Sequence, residues 1–115
     1  PADTGDRVGT VVEASPEIIE QALQQARPWA TTSARERAAV LDRAAGALEA
    51  DMPMLMGLLM REAGKTAANA VAEVREAVDF LRFDAAQLRA ELDGVDHAPL
   101  GPVVCISPWN FPLAI

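Results

Sequence analysis

The chain has 115 residues, of which half are hydrophobic and only 4% are aromatic, and alanine is abundant. This length fits one small domain with a modest core, and the composition favours close-packed helices over a β-sandwich. The net charge of −7, without a basic cluster, argues against nucleic acid and anionic membrane surfaces as partners of this segment.

Cysteine content and hydropathy bear on where the protein resides. A single cysteine excludes an internal disulfide framework and suits a reducing, intracellular setting. No signal-peptide pattern opens the chain, and no apolar run has the length that a bilayer requires. We therefore expect a cytoplasmic protein without a membrane span.

The first two elements begin with turn and capping residues. Residues 1–14 are expected to form a turn followed by a short extended piece, in which Val8, Val11 and Val12 could line a small strand. Residues 15–17 are Ser-Pro-Glu, which is typical of a helix start, with serine as the N-cap and proline at the first helical position. Pro28 should end or bend this helix.

Two shorter helices are predicted in the middle of the chain. Ser33 and Glu36 have the spacing of a capping box, so a second helix should begin here. Its expected core positions are Val40, Leu41, Ala44, Ala47 and Leu48. Asp51 can cap a third helix, which contains all four methionines, and Gly64 is its expected C-terminal stop.

The fourth helix has the clearest pattern and is predicted over residues 66–92. Its apolar residues recur every three or four positions and form one continuous stripe. They are Ala67, Ala70, Val71, Val74, Val78, Leu81, Ala85, Leu88 and Leu92. The opposite face is charged and is expected to be solvated. Its residues are Glu73, Arg75, Glu76, Asp79, Arg82, Arg89 and Glu91.

The last residues of the chain are the most informative. An apolar run at 103–106 predicts a buried strand, and residues 108–112, Pro-Trp-Asn-Phe-Pro, follow it as a stiff loop. Loops at the carboxyl ends of strands are where α/β enzymes place their chemistry. The amide of Asn110, held between two aromatic residues and two prolines, is suited to donate a hydrogen bond to a developing oxyanion. A proline-rich turn that closes a strand explains the same residues, and local physics does not decide between the two interpretations.

Two other residues invite a catalytic or metal-binding interpretation. Cys105 lies inside the apolar run without a histidine or cationic neighbour in sequence that would activate its thiol, so a buried, inert thiol is expected. His97 is alone in a polar turn, so a surface histidine is expected. No metal site is predicted, because one histidine without companion ligands does not bind a metal.

The chain resembles the aldehyde dehydrogenase superfamily over nearly its whole length. The matching stretches are residues 1–12, 36–41, 62–65, 73–74 and, most specifically, 108–112. Within the superfamily, residues 61–66, 72–82 and 101–107 are most similar to the pyrroline-5-carboxylate dehydrogenase module of bifunctional proline-utilisation proteins.

The resemblance implies an activity for the parent protein and roles for several residues. The parent would use NAD+ to oxidise glutamate-γ-semialdehyde, the hydrolysed form of pyrroline-5-carboxylate, to glutamate. Asn110 would be catalytic as the oxyanion donor. Phe111 and Glu76 would contact the substrate. The residues implied to border the cofactor are Ile106, Ser107, Pro108 and Trp109.

The resemblance also implies what this chain lacks. The nucleophilic cysteine, the general-base glutamate and the principal NAD contacts of the family match no residue here, so the chain alone is expected to be inactive and to bind NAD poorly. FAD would belong to a separate proline dehydrogenase domain if the parent is bifunctional. The expected organisation is a helical segment at 1–102 and a truncated first strand and loop of the dinucleotide-binding sheet at 103–115, within an α/β aldehyde dehydrogenase fold.

Two further expectations concern partners. An unpaired strand at 103–106 would have open edges, so strand exchange or oligomerisation is expected. The alternative function is a non-catalytic α-helical interaction module, since helical stripes and an acidic surface are all that such a module requires.

Overall fold

The structure is a computed structural model that describes residues 3–27, 29 and 31–115. The helices are α1 (Pro16–Gln25), α2 (Ala34–Ala50), α3 (Met52–Glu62) and α4 (Ala67–Glu91). The mainly α character, with about four helices, is confirmed. Within the described ranges there is no β-strand. None of the described helices is both long and apolar enough to cross a bilayer.

The helix starts follow the capping chemistry that the sequence predicts. The Ser15 hydroxyl accepts a hydrogen bond from the Ile18 amide at the start of α1, with Pro16 in the first turn. At α2 the capping box is complete, because Ser33 Oγ accepts from the Glu36 amide and the Glu36 carboxylate accepts from the Ser33 amide. Each side chain thus satisfies a backbone N–H that has no partner within the helix.

The junctions on either side of α3 differ from each other. Asp51 ends α2 and precedes α3, but its side chain makes no capping hydrogen bond, so this part of the expectation is wrong. Gly64 has a φ of +67°, a conformation that favours glycine, and it reverses the chain after α3. Thr66 then caps α4 by accepting from the Asn69 amide. Pro28, the predicted end of α1, lies outside the described residues.

The core is formed where α2 and α3 pack against α4. Its buried hydrophobic residues are mostly small: Ala34, Ala38, Ala45, Leu59, Ala70, Val74, Ala77, Val78 and Ala85. The stripe predicted on α4 is confirmed at its centre. The prediction for α2 is wrong in detail, because Ala34, Ala38 and Ala45 are buried while the predicted positions are half-buried or, at Ala47, exposed. Alanine at these positions lets the helices approach closely.

Two parts of the chain lie outside this core. Helix α1 has no buried residue, and in the described part of the chain it makes no contact with the other helices. Residues 100–106 are likewise exposed. The radius of gyration is therefore 17.2 Å, whereas a compact domain of this length would have about 13 Å.

The strand predicted at residues 103–106 is not seen. The segment is irregular, and its side chains are exposed, with Ile106 at 89% of its maximum. A strand requires hydrogen bonds to a neighbouring strand, and the described residues provide none. The Cys105 thiol is consequently exposed and not buried as predicted. Val11 and Val12 form no strand for the same reason. Self-association through 103–106 stays a prediction.

Candidate functional site

The candidate site is built on the Asn110 loop, by which we mean residues 107–115. The Phe111 amide donates to the Pro108 carbonyl oxygen at 3.2 Å, and this bond closes a turn with Trp109 and Asn110 at its centre. Pro108 favours such a turn because its ring fixes φ. The side chains of Trp109 and Asn110 are both exposed. The turn therefore presents the carboxamide outward from the helical core.

The carboxyl side of the Asn110 loop is packed against the helices. Leu113 is half-buried and contacts the apolar cluster of Leu59, Ala70 and Val74. A crevice of about 180 Å³ between α3 and the loop is bordered by Pro112 and Leu113. The loop is thus anchored on one side of Asn110 while the carboxamide itself stays accessible.

A buried ion pair lies directly beneath the loop. Glu73 on α4 is 1% exposed, and its Oε2 lies 2.5 Å from the ammonium nitrogen of Lys65. Glu73 Oε1 accepts a hydrogen bond of 2.9 Å from the Leu113 amide. The Lys65 ammonium also lies 4.1 Å from the centre of the Phe111 ring. These two charged groups therefore join the start of α4 to the Asn110 loop.

Sequence reasoning missed this pair, because Glu73 was assigned to the solvated face of α4. That assignment is wrong. Glu73 lies three residues after Ala70 and four before Ala77, and both alanines are buried. The spacing of i+3 and i+4 therefore placed Glu73 within the apolar stripe. A charged residue inside such a stripe, preceded by the only lysine of the sequence, was the available signal.

Glu76, the other acidic residue predicted to contact substrate, lies elsewhere on α4. It is half-buried and borders an open surface groove that is lined only by α4 residues, among them Arg75 and Phe80. No residue of the Asn110 loop lines that groove. Phe111 and Asn110 are adjacent in the loop, but the structure does not bring Glu76 into contact with them.

The residues predicted to border the cofactor precede Asn110 directly. Ile106, Ser107 and Trp109 are exposed and Pro108 is half-buried. They form a largely apolar, accessible segment that is continuous with the Asn110 turn. A flat ring could be contacted along such a segment, whereas charged phosphate groups would find no cationic side chain between residues 98 and 115.

His97 lies in the segment that follows α4 and contacts α2. The His97 side chain is exposed, as predicted; its Nδ1 lies 2.9 Å from the Val95 carbonyl oxygen, and its Nε2 lies 3.0 Å from Arg37 Nη2. Nδ1 therefore donates and Nε2 accepts. The described part of the chain contains no group of three or more acidic, histidine or cysteine residues arranged to hold a metal.

One ion pair ties the beginning of the chain to α3. Arg61 donates two hydrogen bonds to the carboxylate of Asp6, at 2.8 and 2.6 Å. The hydrogen bond and the positive charge of Arg61 lower the pKa of Asp6, and Asp6 in turn raises the pKa of Arg61. The contact keeps residues 3–7 near the end of α3, which precedes Lys65.

Comparison with known proteins decides the family. The sequence matches the aldehyde dehydrogenase family over residues 1–115. The chain belongs to this family. It is 59% identical over 119 residues to the bifunctional protein PutA of Klebsiella aerogenes and 54% identical over 117 residues to that of Rhizobium meliloti. It is 35% identical over 131 residues to 1-pyrroline-5-carboxylate dehydrogenase of Geobacillus thermodenitrificans.

These alignments include all of this chain but little of its relatives. The chain spans 9% of the length of either PutA protein and 25% of the pyrroline-5-carboxylate dehydrogenase. The Asn110 carboxamide of this chain is exposed on the anchored turn. Its single thiol, Cys105, is exposed on the irregular segment, and no histidine or carboxylate is hydrogen-bonded to it in the described residues.

Proposed function

We propose that this chain is part of a longer NAD-dependent dehydrogenase that oxidises glutamate-γ-semialdehyde, formed by hydrolysis of pyrroline-5-carboxylate, to glutamate. The family membership supports dehydrogenase chemistry. The relatives named PutA and 1-pyrroline-5-carboxylate dehydrogenase support this substrate. In a bifunctional parent, FAD would serve a separate proline dehydrogenase domain.

Asn110 is the residue of this chain to which we assign a catalytic role. When a nucleophile adds to an aldehyde, the carbonyl oxygen becomes an alkoxide, and a fixed N–H donor stabilises the negative charge that develops there. The carboxamide of Asn110 supplies such a donor. The single observation that carries this assignment is the anchored turn, which exposes Asn110 while Phe111 and Leu113 are held against the helices.

The other assigned residues contribute binding surfaces. Phe111 is half-buried beside Asn110 and would contact the aliphatic part of the substrate. Glu76 is proposed to reach the substrate from α4, across the open surface groove that it borders. Residues 1–102 would form the helical segment of the dehydrogenase, and residues 103–115 would begin its dinucleotide-binding unit.

NAD fits this chain in part. The exposed apolar surface of Ile106, Pro108 and Trp109, together with Ser107, suits contact with the ribose and the nicotinamide ring. The cofactor, when bound, accepts hydride from the substrate carbon. The same stretch has no cationic side chain for the pyrophosphate, so the remaining contacts must come from the rest of the enzyme. The isolated chain should therefore bind NAD poorly and have no activity.

The proposal is tested by measuring NADH formation with the full-length protein that contains this chain. We expect turnover with pyrroline-5-carboxylate, weaker turnover with aldehydes that lack the α-amino acid group, and none from the 115-residue chain alone. Turnover by the isolated chain would refute the proposal that it needs the rest of a longer dehydrogenase for activity. Inactivity of the full-length protein, with a protein partner bound at the exposed Ile18, Ile19 and Leu23 of α1, would favour the interaction-module alternative.

A further inference from the structure

Glu73 is the only charged residue that is buried among those the structure describes. Burial of a carboxylate is strongly unfavourable unless a partner compensates its charge and hydrogen-bonding capacity. Here Oε1 has a hydrogen-bond donor, whereas Oε2 has a cation beside it but makes no hydrogen bond within the described residues. Oε2 faces the Lys65 ammonium at 2.5 Å, and Oε1 accepts from the Leu113 amide at 2.9 Å. Lys65 is itself largely buried, with 13% of its side chain exposed.

Both members of the pair contact the Asn110 loop on the same side of Asn110. The Lys65 ammonium lies against the ring of Phe111 in cation–π geometry, and Phe111 directly follows Asn110 in the sequence. The Glu73 carboxylate accepts a hydrogen bond from the amide of Leu113, which is three residues after Asn110. The turn hydrogen bond between Phe111 and Pro108 then fixes the backbone that carries Asn110. The position of Asn110 is thus connected, through two adjacent contacts, to α4.

Stability alone does not explain this arrangement. Hydrophobic residues of similar volume often stabilise a core as well as a buried ion pair does, whereas removal of one partner is costly. A hydrophobic residue at position 73 could not accept the Leu113 N–H. The other ion pairs between described residues are far more exposed; Arg82 and Glu49, for example, have about half of each side chain in solvent. What distinguishes Lys65 and Glu73 is their contact with the loop.

We propose that Lys65 and Glu73 are positioning residues that hold the Asn110 loop in the conformation in which the carboxamide meets the substrate oxygen. This inference rests on the proposed function of Asn110. Lys65 and Glu73 act through the loop backbone and through Phe111, and they touch neither substrate nor cofactor. Misplacement of a catalytic group by about 1 Å can lower the rate about 100-fold.

The first test measures the loop directly in the full-length dehydrogenase. Glu73→Ala removes the acceptor of the Leu113 amide, so hydrogen exchange of the segment 107–115 should become about tenfold faster. Glu49→Ala, which removes an ion pair between α2 and α4, is the matched control and should leave this exchange unchanged. Unchanged exchange in Glu73→Ala would overturn the inference, whatever role Asn110 has.

The second test asks whether the pair acts through Asn110. Lys65→Met conserves side-chain volume and removes the cation from both Glu73 and the Phe111 ring. Because it also leaves the Glu73 carboxylate buried without a cation, it is paired with the double variant Lys65→Met/Glu73→Gln, whose two neutral side chains remain informative if a single variant fails to fold. Lys65→Met should lower kcat about 10- to 100-fold, with KM for NAD changed less than about twofold. In the Asn110→Ala background the same substitution should change kcat less than about twofold, because the group it positions is absent.

The outcomes separate this inference from the proposed function. Equal losses of kcat from Lys65→Met in both backgrounds would show a general structural role and overturn the positioning role. If Asn110→Ala itself leaves kcat unchanged while Glu73→Ala accelerates exchange at 107–115, the role proposed for Asn110 fails and the contact that holds the loop is supported. If exchange at 107–115 stays slow in Glu73→Ala while Asn110→Ala loses activity, the role proposed for Asn110 is supported and the positioning role of Lys65 and Glu73 fails.

Discussion

Leu59 is the residue whose truncation most directly tests the packing beneath the Asn110 loop. It is 5% exposed and lies in the cluster with Ala70, Val74 and the half-buried Leu113. Leu59→Ala deletes three carbon atoms, which at about 0.8 kcal/mol for each buried group amounts to about 2.4 kcal/mol of lost transfer free energy.

The cavity that this truncation leaves adds a further, smaller destabilisation. Leu59 already borders the 180 Å³ crevice shared with Pro112 and Leu113, so the neighbouring loop can move partly into the vacated space. The total should therefore fall near about 3 kcal/mol, in the lower part of the range for such substitutions. Urea unfolding of the 115-residue chain, followed by far-ultraviolet circular dichroism, measures the change in the free energy of unfolding.

Met54→Ala is the matched control on the same helix. Met54 is 54% exposed, so its truncation should lower the free energy of unfolding by less than about 1 kcal/mol. If Leu59→Ala is no more destabilising than Met54→Ala, the loop does not rest on a packed core, and the anchoring described above is incorrect.

Three further predictions concern local structure in the same unfolding assay. Hydrogen bonds from the hydroxyl and the amide of Ser33 lower the pKa of Glu36 below its ordinary value of 4.5. The Glu36 carboxylate should therefore stabilise α2 fully above pH 4.5, and this contribution should be lost as the pH falls through the lower pKa of the folded state. In Glu36→Gln the free energy of unfolding should lack this dependence on acidic pH. The same pH profile of unfolding free energy in both proteins would contradict the role of the capping box. Gly46→Ala, in the interior of α2 where an added Cβ meets no atom within 4 Å, should stabilise the chain by about 0.5–1 kcal/mol. Gly64→Ala, at a φ of +67°, should destabilise it by about 1–2 kcal/mol, and effects of the same sign at both glycines would refute the assigned conformations.

The sequence was sufficient where structure is decided locally. Ser15, Ser33 and Thr66 each cap a helix, because a hydroxyl next to unpaired amides needs nothing from the rest of the chain. The stripe on α4 was equally readable, since periodicity of 3.6 residues describes one buried face. The Asn110 turn was also recognisable, because its prolines restrict the backbone before any tertiary contact forms.

Where structure depends on distant groups, the sequence was insufficient. The apolar run at 103–106 has the composition of a strand, but a strand forms only by pairing, and no partner strand occurs among the described residues. Cys105 is exposed for the same reason. The spacing of Glu73 from Ala70 and Ala77 fits the apolar stripe, but the groups that make burial of its carboxylate tolerable are Lys65 and the Leu113 amide, and the latter lies 40 residues later. Asn110 and Phe111 could be proposed from the sequence, but Lys65 and Glu73, and the contacts by which they hold the loop, could not.

The role assigned to Asn110 is tested by the kcat of Asn110→Ala in the full-length dehydrogenase, measured with pyrroline-5-carboxylate and NAD+. Asn69→Ala is the matched control, because Asn69 is the other asparagine of the chain and is exposed at the start of α4. We predict that Asn110→Ala lowers kcat by about 10²–10³-fold, as removal of an oxyanion donor does, and that Asn69→Ala leaves it within about twofold. Equal kcat values for the two variants would contradict the role of Asn110 in stabilising the alkoxide.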